Sequence, residues 1–167
     1  MSEERAPSTV RKPRSAERVR AYLEAHGLAD GIVVFGQSTK TAQMAADAMG
    51  CELGQIVKSL VFVVDGASPV LALVAGDRRG DGSAIAREMG GTKAELADAD
   101  TVRAVTGYAI GGVCPFDLPP DLPVLIDRSL LRYEIVYPAA GTPDSMVRMT
   151  RERLIALTGG RVAAIAS

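Results

Sequence analysis

Two apolar runs sit close together in the middle of the chain, IVKSLVFVV at 56–64 and VLALVAG at 70–76, with a turn at Asp65–Pro69 between them. Short runs rich in β-branched and aliphatic residues, bounded by a turn, predict two strands paired as a hairpin. Both are far shorter than the roughly 20 residues a membrane helix needs, so a membrane partner is not expected. The first run carries one charge, Lys58, and strand alternation puts it on the face of Leu60, Phe62 and Val64. An ammonium on an apolar face is costly unless it reaches water or an anion. Lys58 is therefore either a lysine that snorkels outward or one that lines a pocket, aimed at a phosphate or a substrate carbonyl.

Around the hairpin, strands and helices alternate without regular βαβ spacing. Helices are predicted from Ser15 to Gly27, across Ala42, Ala45, Ala46 and Met49 to Gly50, over SAIAREMGG, over TVRAVTG with Asp100 as its cap, and from Thr150. Further strands are expected at GIVVF (31–35), VLID, YEIVYP and MVRM, with a helical turn at Arg128–Leu131 and a last apolar contact from RVAAIAS. Strands joined by short turns fit an antiparallel or mixed sheet better than a doubly wound one. Residues 1–14, with Arg5, Arg11, Lys12 and Arg14, read as a loose tail, either a solvated terminus or a basic arm touching RNA phosphates; residues 15–167 form one domain.

Composition narrows the chemistry. The 167 residues are 47% hydrophobic and 23% charged, enough to fold without staples. The net charge of −1 argues against a whole-surface nucleic-acid binder. One histidine, His26, and two cysteines, Cys51 and Cys114, are too few for a confident zinc site or a disulfide framework. No P-loop or serine elbow is present, so neither a metal nor a cofactor is expected. With no targeting segment at the N-terminus, the expectation is a soluble cytoplasmic protein with free thiols.

A second feature is GGVCP at 111–115. Gly111 and Gly112 allow close approach of a ligand to the main chain, and Pro115 fixes the turn. It is either a plain turn or a loop that presents N–H groups to a small polar substrate. Cys114 lacks a histidine to activate it. A pocket without metal, base or cofactor can act on an already labile bond, such as an activated ester, through positioning and oriented dipoles.

The blocks TAQMAADAMGC, GQIVKSLVF, VLALVAGDRR and TGYAIGGVCPF, the VLID–SLL–Y segment and AAG at 139–141 together resemble the YbaK/EbsC family, which shares its domain with the editing insertion of bacterial prolyl-tRNA synthetases. The resemblance runs from about Ser15 to Ile165. It implies a compact α+β domain whose curved, mixed, partly barrel-like sheet is surrounded by helices. It also implies a free-standing, metal-independent deacylase acting on the 3′ end of mischarged aminoacyl-tRNA, most often tRNA for proline carrying a small wrong amino acid. A non-catalytic aminoacyl-tRNA or nucleotide-binding module, or an interaction protein with a vestigial pocket, are the competing readings. An aminoacyl-tRNA synthetase is an implied partner.

By the same resemblance Lys58 holds the phosphate region of the terminal adenosine, and Gly111, Gly112 and Pro115 position the carbonyl and the attacking water. The tRNA's own ribose hydroxyl helps to deliver the proton. Thr39, Cys114, Asp127 and Gly141 are the implied substrate-binding residues. Cys114 stands where some members carry Ser or Thr. Gly141 lies where the synthetase-embedded branch has a pocket histidine, and Asp127 matches a recurrent aspartate that supports the loop rather than reacts.

Overall fold

In the computed structural model, residues 14–36 and 41–167 are described. The predicted tail lies outside them except for Arg14, the first residue of helix α1 (Arg14–Ala25). The predicted hairpin forms as β2 (Ile56–Val64) and β3 (Ser68–Ala75), antiparallel from Val57 opposite Ala75 to Val64 opposite Ser68. The turn is tighter than expected, since Ser68 and Pro69 already belong to β3. Asp65 and Gly66 both adopt positive φ, 54° and 70°, which matches the right-handed twist of a hairpin. The Asp65 carboxylate accepts from the backbone N–H groups of Thr92 and Lys93, and so holds a non-glycine residue in this conformation.

β3 is the centre of the sheet, with Val70 through Ala75 wholly buried. Its far edge takes β5 (Val124–Asp127) in parallel, and β5 in turn takes β9 (Arg161–Ala163), also parallel. The outer edge of β2 is divided. β6 (Ile135–Pro138) pairs in parallel with Ile56 and Val57 only, and β4 (Ala94–Leu96) pairs antiparallel with Phe62–Val64 only. β8 (Met149–Thr150) runs antiparallel on β6. A ribbon of β1 (Ile32–Val34) and β7 (Ser145–Val147) adjoins the sheet through a bridge between Ala139 and Met146. The result is the expected α+β architecture, a strongly curled, mixed, half-barrel sheet with five helices among the described residues.

Alternation along the hairpin divides the interior. Val57, Val61, Leu71 and Leu73 face the larger core, where they meet Val19 and Leu23 of α1 and Leu154. Phe62, Val64, Val70, Ala72 and Val74 face a smaller one with Ile85, Leu125 and Ile165. Each remaining helix starts at a side-chain cap. Thr41 caps α2 (Ala42–Met49), Asp81 caps α3 (Gly82–Glu88) and Thr150 caps α5 (Arg151–Thr158). The cap of α4 (Ala99–Thr106) is Asp98, whose carboxylate accepts from the Thr101 N–H at 2.8 Å. Asp100, the predicted cap, sits inside the first turn. Two strands were not anticipated. β4 is three residues with no apolar run, and β9 turns the expected apolar contact of the C-terminal segment into a paired strand.

Candidate active site

The divided edge of β2 makes the site. β6 leaves after Val57 and β4 arrives at Phe62, so Lys58–Val61 have no strand beside them on that edge. A cavity of about 300 Å³ opens there. Thr41, Ala42 and Ala45 of α2 close one side, and Leu96, Ala97 and Val102 another. The loops at Ile110–Val113 and Ala139–Met146 form the rest of the wall. Because the cavity wraps an edge, residues from both faces of β2 line it.

Lys58 lines this cavity, half buried. Its ammonium donates to the Arg78 carbonyl in the turn after β3. That turn is braced by a bidentate pair, Arg132 to Asp77, at 2.7 and 3.0 Å. Desolvation, with the nearby Arg79, lowers the Lys58 pKa from its ordinary 10.5 against the opposing pull of Asp77. The lysine is thus held by a neutral carbonyl rather than a carboxylate, and its charge stays available to an anion.

Gly111 also lines the cavity, at φ 90°, in a left-handed conformation that a side chain would strain. Gly112 is buried, and its N–H is engaged by the Ala109 carbonyl at 2.9 Å. Gly141 packs against Gly112: its carbonyl oxygen would be 3.4 Å from a Cβ added there. The two glycine-bearing loops therefore pack against each other beside the cavity; Gly111, Thr142 and Pro143 line it, and Gly112 and Gly141 do not.

The other predicted residues stand elsewhere. Pro115 is buried and lines a separate cleft with Tyr22, Asp117 and Leu118. Cys114 is wholly buried in the larger core, its thiol directed to the Phe116 carbonyl at 3.9 Å. Burial pushes its pKa up to about 11, against hydrogen bonding from Tyr108, so little thiolate exists at neutral pH. Asp127 is buried at the end of β5 and accepts from the N–H and hydroxyl of Ser129 and from the Ile165 N–H. It anchors the 3₁₀ turn Arg128–Arg132 and the C-terminal segment rather than the glycine loop. Thr39 lies outside the described residues.

Three features of the wall were missed by sequence reasoning. Ser59 sits next to Lys58, and its hydroxyl is buried with no hydrogen-bond partner. Leu96 and Ile110, 64% and 60% exposed, give the cavity an apolar rim. Thr142 and Ser145 share a hydrogen bond of 2.6 Å, and Thr142 also donates to Asp144. A lone Ser in a strand carries no local signal, and Leu96 and Ile110 reach the cavity only through tertiary contacts. No histidine lines the cavity, since His26 lies at the end of α1 with Nδ1 against the Tyr22 carbonyl. Among the described residues no helix is long and apolar enough to cross a membrane.

Comparison with known proteins fits this geometry. The aminoacyl-tRNA editing domain matches residues 37–157. The chain is 35% identical over 140 residues to the uncharacterized protein YwhH of Bacillus subtilis, covering 84% of this chain and 88% of that protein. It is 32% identical over 143 residues to the multifunctional Ser/Thr-tRNA deacylase ProXp-y of Escherichia coli, covering 83% and 85%. A crystal structure titled as a "putative trans-editing enzyme for prolyl tRNA synthetase" superposes with a TM-score of 0.83 at 44% identity, over 92% of this chain and 97% of that one. With the family match spanning most of the chain and the fold shared over nearly all of it, this protein belongs to the aminoacyl-tRNA editing domain family.

Proposed function

We propose that this protein is a free-standing deacylase that hydrolyses the ester joining a wrong, small amino acid to the 3′ end of a tRNA, the tRNA for proline being the first candidate. The observation that carries this reading is the pairing of Lys58 and Gly111 in one small cavity on an open strand edge. In this reading the Lys58 ammonium holds the phosphate and ribose of the terminal adenosine. The Gly111 N–H, engaged by no described residue, is the donor for the ester carbonyl oxygen. Water adds to the carbonyl carbon, the bond to the ribose oxygen breaks, and that oxygen leaves with a proton. The products are a free amino acid and an uncharged tRNA 3′ end. A neighbouring ribose hydroxyl relays the proton, which suits a cavity lined by no histidine.

The leaving group is already activated, so positioning and one oriented donor account for a useful acceleration without a side-chain base. A cytoplasmic location and a prolyl-tRNA synthetase as functional partner follow from such a substrate. The competing reading is a module that binds aminoacyl-tRNA without turnover. Incubating the purified protein with a panel of mischarged tRNAs and following ester loss separates the two. The expected result is deacylation of one or more small aminoacyl esters, unaffected by a strong chelator. Tight binding with no ester loss on any member of the panel would overturn the enzymatic reading.

A further inference from the structure

Lys58 and three arginines gather where the cavity meets the turn after β3. The Lys58 ammonium donates to the Arg78 carbonyl, so Arg79 begins one peptide bond away from that contact. Gly80, the next residue, lies over the same face of β2: a Cβ added there would be 3.1 Å from the Phe62 ring and 3.6 Å from Leu60. The turn therefore runs along the face that carries Lys58, Leu60 and Phe62, and the first two of these line the cavity. Arg79 itself is exposed and stands outside the lining. Its backbone is fixed, because its N–H donates to the Ser167 carbonyl at 3.0 Å and its carbonyl accepts from the Ser167 N–H at 2.9 Å.

The carboxylate at this corner is already engaged. Asp77 accepts two hydrogen bonds from Arg132 and lies 3.8 Å from the Arg78 guanidinium. The Arg79 side chain has no ion pair or hydrogen bond among the described residues. Arg79 and Lys58 thus stand side by side, separated by a peptide group. Two cations held together without an anion cost the folded state free energy, and an anion lying across both relieves that cost. The cavity has an apolar side at Leu96 and Ile110 and this basic corner beside Lys58. A polyanionic chain joined to a group inside the cavity crosses the basic corner. We infer that Arg79 binds the phosphodiester backbone of an RNA 3′ end where it leaves the cavity, so that the strand runs out over the Asp77–Gly80 turn. A guanidinium suits the task because its donors fork onto two phosphate oxygens. The inference rests on the deacylase reading for the identity of the ligand, and it adds a contact outside the cavity and the direction of the strand.

The test uses a 3′-aminoacyl amide, which resists hydrolysis, made on adenosine alone and on a short single-stranded RNA ending in CCA. Both are titrated against the wild type, Arg79→Ala, Arg79→Lys and Arg87→Ala. The last removes an equal charge from the C-terminal turn of α3, which packs on β4. In Arg79→Ala the RNA analogue is expected to bind about five- to tenfold more weakly, as for one exposed charged contact. The log–log salt slope of RNA binding falls by about 0.7, the value for one phosphate on a single strand. The adenosine analogue, which has no phosphate, binds as before. Arg79→Lys keeps the charge and recovers most of the RNA binding, and Arg87→Ala changes neither analogue. The melting temperature of Arg79→Ala stays near wild type, because Ser167 is held through the backbone. Equal weakening of both analogues, unchanged RNA binding in Arg79→Ala, an equal loss in Arg87→Ala, or no RNA binding by the wild type would each overturn the inference. Hydrolysis of the matching tRNA ester is assayed beside the titrations. Phosphate-dependent binding through Arg79 without ester loss would uphold the inference and remove the enzymatic reading instead.

Discussion

The two edges of the central hairpin are finished in opposite ways. On the β3 side, β5 and β9 add in parallel, and the buried Asp127 at their end has three donors from its own chain. On the β2 side the edge is left open between β6 and β4, and the buried Ser59 hydroxyl has none. Both are buried polar groups on strands that pair directly with β3. Where the chain supplies every partner, the group serves the fold; where it supplies none, the buried hydroxyl costs the fold stability.

The sharpest way to break this contrast is Asp127→Ala. It leaves the Ser129 and Ile165 donors unpaired in a buried place, and the expected cost is about 3–4 kcal/mol of stability. Denaturant unfolding measures it, and the rate per folded molecule should stay near wild type. A large rate loss in a fully folded variant would move Asp127 from the closed edge to the site.

Lys58→Ala is the counterpart on the open edge. Loss of one charge-assisted bond to substrate, worth about 1.5–3 kcal/mol, slows single-turnover deacylation roughly ten- to hundred-fold. The melting temperature should hold or rise, because the partly desolvated ammonium costs the folded state something and the Arg78 carbonyl can be hydrated once released. Wild-type rates in this variant would remove Lys58 from the site.

The glycines sharpen the comparison on a smaller scale. Gly111→Ala places a side chain at φ 90°, at a cost of about 1–2 kcal/mol. A Cβ at Gly112 meets its neighbours no closer than 3.4 Å, so Gly112→Ala should change stability by about 0.5 kcal/mol or less. Paired melts of the two variants check this ordering, and equal losses would mean that the conformation of Gly111 is not what holds the loop.

The smallest effect concerns the brace behind Lys58. The Arg132 hydrogen bond holds the Asp77 carboxyl below its ordinary 3.8. The folded state therefore binds fewer protons there than the unfolded one. The stabilisation is present above about pH 4 and is lost as pH falls through the lowered folded value. The pair is about a third exposed, so screening limits it to a few tenths of a kcal/mol. Asp77→Asn should flatten that much of the acid limb of a stability profile, and an unchanged limb would show that the brace contributes nothing measurable.

Local pattern was enough for most elements. The hairpin, the helix over Ala42–Met49 and the Thr150 start of the last helix were legible because period and caps are written in adjacent residues. Lys58 stood out in the same way, as the one charge in an apolar run. The resemblance carried the fold class and the function. What sequence could not show was where strands stop pairing. β4, three residues without an apolar run, exists because the β2 edge offers it hydrogen bonds. Cys114, Pro115 and Asp127 share a short list of candidates with Lys58 and Gly111, yet only the last two line the cavity, because a strand or loop sends successive side chains to different sides. The sequence by itself determined the central hairpin, the helices and the lysine. The tertiary structure alone decided which edge stays open and which hydroxyl is left without a partner, since both depend on contacts between residues far apart in the chain.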